Sequence, residues 1–141
     1  MDQDHFTKLE NMYHKHPFNE FVKAKISIAQ GEARILINIE EKFHHAANAV
    51  HGALYFKALD DVTFFAVNSL IEGNLFVTSN FNLNFLRPIA QGTITGVGKV
   101  VYKSKNQCIA EGVLYNDENK EIARGSGTFT RSSLSFPYQD S

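Results

Sequence analysis

The residues with the clearest chemical potential form one run, His51-Gly52-Ala53-Leu54-Tyr55-Phe56-Lys57-Ala58-Leu59-Asp60-Asp61. Small residues open what reads as a long apolar helix. Two turns in, that helix carries a carboxylate where packing alone favours a hydrocarbon. The first turn of a helix has unpaired backbone N–H groups and partial positive charge, and Gly52 permits close approach to them. The run therefore offers an oxyanion-binding end and a carboxylate suited to act there as base or nucleophile. The carboxylate lies about 12 Å further along the helix axis within one chain. One reacting carbonyl cannot span that distance, so a working site requires the Asp60 of a second copy.

The two carboxylates of the run face different surroundings. At about 100° per residue, Asp61 shares a side with Lys57 and Asn68, which predicts a solvated or salt-bridged surface residue. Asp60 is flanked by Phe56, Thr63, Phe64 and Val67. A carboxylate in that company is desolvated and its pKa is raised. Such groups concentrate at functional sites, although spacing alone also allows a buried Asp that caps a backbone group.

The rest of the chain bounds the setting. A length of 141 residues suggests one domain, 1–141, and 43% apolar residues with twelve Phe suffice for a core. A net charge of −1 and a pI near 6.6 offer nothing to nucleic acid. The first thirty residues lack the apolar segment of a signal peptide, and no run reaches the roughly 18 apolar residues of a membrane span. Cys108 is the lone cysteine, so no intrachain disulfide is expected and a cytoplasmic location fits. Six His occur, including His14-x-His16, His44-His45 and His51, but no ligand spacing supports a metal site. Gly96-Val97-Gly98-Lys99 lacks the rest of a P-loop and reads instead as a strand with a close backbone approach.

The elements that must position the run follow from periodicity. Phe6, Leu9 and Tyr13 predict a helix over 4–13 within an N-terminal helical segment, 1–18, stopped by His16-Pro17. Alternation predicts strands over 20–29 and 33–40 about a turn at Gln30-Gly31-Glu32. A loop over 41–51 holds His44, His45, Asn48 and His51. The helix over 53–71 is apolar nearly all round, hence buried on most sides. Turn residues then separate four strands, about 75–86, 92–103, 107–116 and 120–130. Phe81, Leu83 and Phe85 share one strand face and are assigned to the core rather than to a pocket. The fold class is α+β, an antiparallel sheet of about six strands curled around one helix.

His51-Gly52, with Phe56 and Asp60 at set distances and Ala66-Val67-Asn68-Ser69 beyond, resembles a motif of hotdog-fold acyl-CoA thioesterases. The similarity is to the phenylacetate-degradation (PaaI-like) branch, which reads His-Gly-Gly-x-x-Phe-x-x-x-Asp. Asn84-Phe85-Leu86-Arg87-Pro88 resembles the Asp-Phe-Leu-Arg-Pro of that branch, and Ala123-Arg124-Gly125-Ser126-Gly127-Thr128-Phe129 resembles its last strand. The resemblance implies a hotdog fold, a homodimer or homotetramer, and hydrolysis of an acyl- or aryl-acyl-CoA to free acid and CoA. No metal or redox cofactor is implied, coenzyme A being part of the substrate.

It also implies roles. Gly52 supplies the backbone N–H that polarises the thioester carbonyl, and Asp60 of the partner is nucleophile or general base. Thr78 stands where some members place a water-positioning Ser or Thr. His45 replaces the usual Asn or Gln, leaving it to hold the water, act as a base or only fill the position. Ala53 replaces the second Gly, and Phe64 stands where some members carry a catalytic Thr. His51 and Asn48 are candidates for substrate contact, and Arg87, Lys103 and Lys105 for the CoA phosphates. Two other functions share these features: an acyl-CoA-binding or sensing hotdog domain without turnover, and a hydroxyacyl-thioester dehydratase.

Overall fold

In the computed structural model, which describes residues 3–140 apart from the side chains of 139 and 140, six antiparallel strands curl about one long helix. The elements are α1 (Gln3–Lys15), α2 (Pro17–Val22), β1 (Lys25–Ala29), β2 (Glu32–Asn38), a 3-10 turn at Glu41–Phe43, α3 (Gly52–Asn68), β3 (Phe76–Phe85), β4 (Thr93–Lys103), β5 (Gln107–Tyr115) and β6 (Glu121–Arg131). The sheet order is β1-β2-β4-β5-β6-β3. Residues 1 and 2 of the expected N-terminal segment lie outside the described residues.

The N-terminal reading needs one correction. The strand expected from residue 20 starts at Lys25, and Pro17–Val22 form a second helix. α1 ends at Lys15, as His16-Pro17 predicts, but Pro17 also opens a new helix, where its fixed φ and missing N–H cost nothing. Lys23, at φ 59°, closes α2 in the left-handed region.

The apolar positions of α3 pack into the curl of the sheet, with Ala58, Leu59, Val62, Ala66 and Val67 fully buried. Gly98 on β4 makes the closest approach, since a Cβ there would collide with the Val62 carbonyl. The C-terminal end of α3 is fixed by its own polar residues. Asn68 Oδ1 accepts the Phe76 N–H at 2.9 Å, and its Nδ2 donates to the Phe76 carbonyl at 3.0 Å. Ser69 Oγ accepts the Gly31 N–H at 2.8 Å. The Asn-Ser pair thus anchors the helix between β3 and the β1–β2 turn.

The two edges of the sheet differ. Along β1, α1 supplies side-chain acceptors: Glu10 Oε2 takes the Ile28 N–H at 2.7 Å and His14 Nε2 takes the Ile26 N–H at 3.1 Å. A capped edge is poorly suited to pairing with another chain. β3 pairs with β6 on one side, and no strand of the described residues pairs with its other side.

Candidate active site

Extended backbone at His51 (φ −63°, ψ 140°) starts α3, and its Nδ1 accepts the Ala53 N–H at 2.9 Å. His51, a candidate for substrate contact, thus caps the helix through this nitrogen. The Leu54 N–H is bonded to the His51 carbonyl at 3.0 Å. The Gly52 N–H has no acceptor among the described residues, so it remains the available donor of this terminus. A cleft of about 410 Å³ opens beside it, lined by His45, Val50, Gly52, Tyr55, Phe85 and Arg87 among others.

The end of β3 is laid across this terminus. The Tyr55 hydroxyl donates to the Arg87 carbonyl at 2.8 Å, and the Tyr55 and Phe85 ring centroids are 5.5 Å apart. A Cβ on Gly52 would stand 3.1 Å from Phe85 Cε1. Phe85 is 58% exposed, so its assignment to the core is corrected. It lies at the end of an edge strand and lines the cleft, whereas Phe81 and Leu83 are half-buried. Phe81 meets Phe56 edge-on at 5.5 Å.

His45 lines the Gly52 cleft with its Nδ1 accepting the Ala47 N–H at 3.0 Å. That bond places the proton of the neutral ring on Nε2, which is then a donor. Asn48 stands in the left-handed region at φ 64° and closes a turn through its N–H to the His45 carbonyl at 3.0 Å. It is exposed and does not line the cleft.

Asp60 belongs to a second cleft, of about 360 Å³, shared with Met12, His16, Phe18, Phe64 and Pro137. Thr78 Oγ1 donates to Asp60 Oδ1 at 2.8 Å. Burial raises the Asp60 pKa, the Thr78 bond opposes that, the Asp61 charge adds to it and Lys57 opposes it. β3 carries a bulge just after Thr78: the register against β6 slips between Thr78 and Asn80. Phe76 and Thr78 face inward before the slip, and Phe81 faces inward after it. The change of parity between Phe76 and Phe81 is the sequence signal of this bulge.

Asp61 corrects another expectation. It does pair with Lys57, at 2.8 Å, but the two side chains are only 16% and 10% exposed. The Tyr13 hydroxyl also donates to Asp61 Oδ2, at 2.7 Å. Helical phase placed Asp61 opposite the sheet, but it carried no information that α1 would fold over that side. Tyr13 and Asn19, which complete this polar cluster, were therefore missed as neighbours of the site.

The two clefts of one chain share no lining residue. Of the cationic candidates, Arg87 is at the Gly52 cleft, while Lys103 lines a cleft at the far end of α3 with Leu70 and Arg131. The Lys105 carbonyl accepts from the Arg131 guanidinium at 2.9 Å, at that same far end. Among the described residues, no group of three or more His, Cys, Asp and Glu is placed to hold a metal ion. No helix there is long and apolar enough to cross a membrane.

Comparison with known proteins bears on this geometry. The model of the family described as the thioesterase superfamily matches residues 47–123, which include Gly52, Asp60 and Thr78. The fold superposes on the E. coli PaaI protein from the phenylacetic acid degradation operon with a TM-score of 0.83, at 23% identity, covering 92% of this chain and 94% of that one. A thioesterase of Haemophilus influenzae gives a TM-score of 0.81 at 18% identity, with 92% and 91% covered. A phenylacetic acid degradation-related protein of Ralstonia eutropha gives 0.79 at 25% identity, with 89% and 98% covered. The expected hotdog architecture and the PaaI-like resemblance are both borne out.

Proposed function

This chain belongs to the thioesterase superfamily and is a thioester hydrolase, and from that premise we propose that it cleaves acyl- or aryl-acyl-CoA to the free acid and coenzyme A. The observation that carries the reading is the separation of the Gly52 donor and the Asp60 carboxylate into clefts with no residue in common. Two copies joined along β3 would let each supply what the other lacks. That edge is unpaired and runs beside both Thr78 and Phe85, whereas the β1 edge is occupied by α1. The working unit is then a homodimer, or a homotetramer built from such dimers.

In that arrangement the thioester oxygen accepts the Gly52 N–H, and the His45 Nε2–H supplies a second donor. Asp60 of the other copy either attacks the carbonyl carbon or takes a proton from the water that does. The C–S bond breaks, the sulfur leaves as the CoA thiolate and takes up a proton. Where Asp60 is the nucleophile, water then cleaves the resulting anhydride and regenerates the carboxylate. Raised basicity from burial suits Asp60 to proton transfer. Arg87 stands at the mouth of the donor cleft, where it would meet CoA phosphates. The chemistry calls on backbone and side-chain groups alone, with no metal or redox cofactor, and the lone Cys108 suits a reducing cytoplasm.

Release of free thiol from a panel of acyl-CoAs varied in chain length and aromaticity tests this reading. Turnover that Asp60→Asn lowers by roughly 10²–10⁴ supports it. CoA-ester binding without thiol release by the wild-type chain would instead make it a sensing domain.

A further inference from the structure

We propose that Tyr13, Asn19, Lys57 and Asp61 form a positioning network that sets the charge surroundings of Asp60 and holds the N-terminal helices beside it. The proposal rests on the reading of Asp60 as the reacting carboxylate. Four residues from three helices close on one another. Lys57 Nζ donates to Asp61 Oδ2 at 2.8 Å and to Asn19 Oδ1 at 2.5 Å. The Tyr13 hydroxyl donates to the same Asp61 oxygen at 2.7 Å, and Asn19 Nδ2 donates to the Tyr13 carbonyl at 2.8 Å. Lys57 Nζ also lies 4.6 Å from the centre of the Phe18 ring and 5.5 Å from that of Tyr13.

As a device for stability alone this cluster is poor. A buried ion pair gains little over a well-packed apolar pair of the same size, because both charges must leave water. What Lys57 and Asp61 provide that hydrocarbons cannot is charge next to Asp60. Asp61 adjoins Asp60 in sequence, Lys57 lies one turn before it, and all three line one cleft. The negative charge of Asp61 makes a second negative charge harder to form, and the positive charge of Lys57 makes it easier.

Asp61 and Lys57 act on Asp60 as charges, and the Thr78 hydrogen bond outweighs either of them. Thr78 reaches it from β3 as a neutral donor. Tyr13 of α1 stays a neutral donor, since burial and the Asp61 charge hold its phenol far above the ordinary range. His16, at the junction of α1 and α2, lines the same cleft. The network has a mechanical side as well. Through Tyr13 and Asn19 it fixes α1 and α2, which carry Met12 and Phe18 into the wall of the Asp60 cleft.

The test follows the Asp60 carboxyl directly. In protein labelled with ¹³C at the Asp carboxyls, the Asp60 resonance is identified by its loss in Asp60→Asn and titrated in each variant. The midpoint is expected to fall in Asp61→Asn and to rise in Lys57→Met. Tyr13→Phe, which frees α1 without removing a charge, should move it less than either. If Lys57→Met alone does not fold, the double variant Lys57→Met/Asp61→Asn should titrate above Asp61→Asn. An unmoved midpoint, or shifts of one sign in both charge variants, would leave the cluster a structural clasp and overturn the proposal. Because the titration needs no substrate, the two readings fail separately. If Asp60→Asn hydrolyses normally while the midpoints move as expected, it is the catalytic role of Asp60 that is lost.

Discussion

Thr78 Oγ1 donates to Asp60 Oδ1 at 2.8 Å, joining the unpaired edge strand of the sheet to the carboxylate of the central helix. The bond lies beside the bulge between Thr78 and Asn80, which lets Thr78 and Phe81 face the same side of β3. It holds one carboxylate oxygen while the rest of the group lines an open cleft. A carboxylate fixed in one orientation at a strand that can pair with another copy is what a shared site requires.

Removing the Thr78 hydroxyl should raise the Asp60 pKa further, because the bond favours the charged form. Thr78→Val is expected to shift the acid limb of kcat/KM to higher pH and to lower kcat at neutral pH by about tenfold to a hundredfold. That range corresponds to a hydrogen bond to a charged group, about 1.5–3 kcal/mol. Thr78→Ser should restore both. A pH–rate profile of the three proteins decides the point, and an unchanged Thr78→Val profile would refute it.

Asp60 should lower stability at neutral pH. Burial raises its folded-state pKa above the ordinary value near ~3.9. Its contribution to stability is therefore fully present below the unfolded pKa and is lost as pH rises through the folded one. Asp60→Asn cannot ionise, so it should melt above the wild type at about pH 7, with the difference shrinking toward about pH 4. Calorimetry at both values checks this. A variant that melts lower than the wild type at neutral pH would contradict it.

Asp61 should not behave as a surface residue. Asp61→Ala leaves the Lys57 ammonium, 10% exposed, without its partner. Breaking such a pair from one side costs about 3–5 kcal/mol, whereas a solvated pair would cost under about 1 kcal/mol. Denaturant unfolding separates the two values.

His45 is expected to act as a donor. With Nδ1 taken by the Ala47 N–H, its Nε2–H is the group it presents. His45→Gln should therefore keep most of the activity, while His45→Ala should lose roughly 10²-fold, the order of one oxyanion donor. Equal losses in both variants would point to proton transfer by the ring instead. Steady-state kinetics with one acyl-CoA suffices.

These relationships were unequally legible in the sequence. The long helix, the β1–β2 hairpin and the four later strands follow from apolar periods and turn residues, and apart from the late start of β1 at Lys25 the structure places them within a few positions. The contrast between the acidic neighbours was half visible. Desolvation of Asp60 could be read from Phe56 and Phe64, but burial of Asp61 depends on Tyr13 and Asn19, far away in sequence. The second helix was hidden because Pro17 reads as a stop as easily as a start. Phe85 carries a core-like residue type, yet its exposure follows from β3 being the last strand of the sheet. A strand's place in a sheet is a long-range property that its own alternation does not encode.

The shared site is tested most directly by mixing two inactive variants. Gly52→Val places a side chain where Phe85 and the incoming thioester must come, and Asp60→Asn removes the acid. Each homodimer should lose roughly 10²-fold or more. When the two proteins are unfolded together and refolded in equal amounts, half of the dimers should be mixed. Each mixed dimer then holds one site with an intact Gly52 facing an intact Asp60, and one site with both lesions. Recovery of about a quarter of the wild-type activity is expected from two-fold symmetry with random assembly. If the mixed sample is no more active than the variants apart, Gly52 and Asp60 do not meet across a dimer and the shared site is wrong.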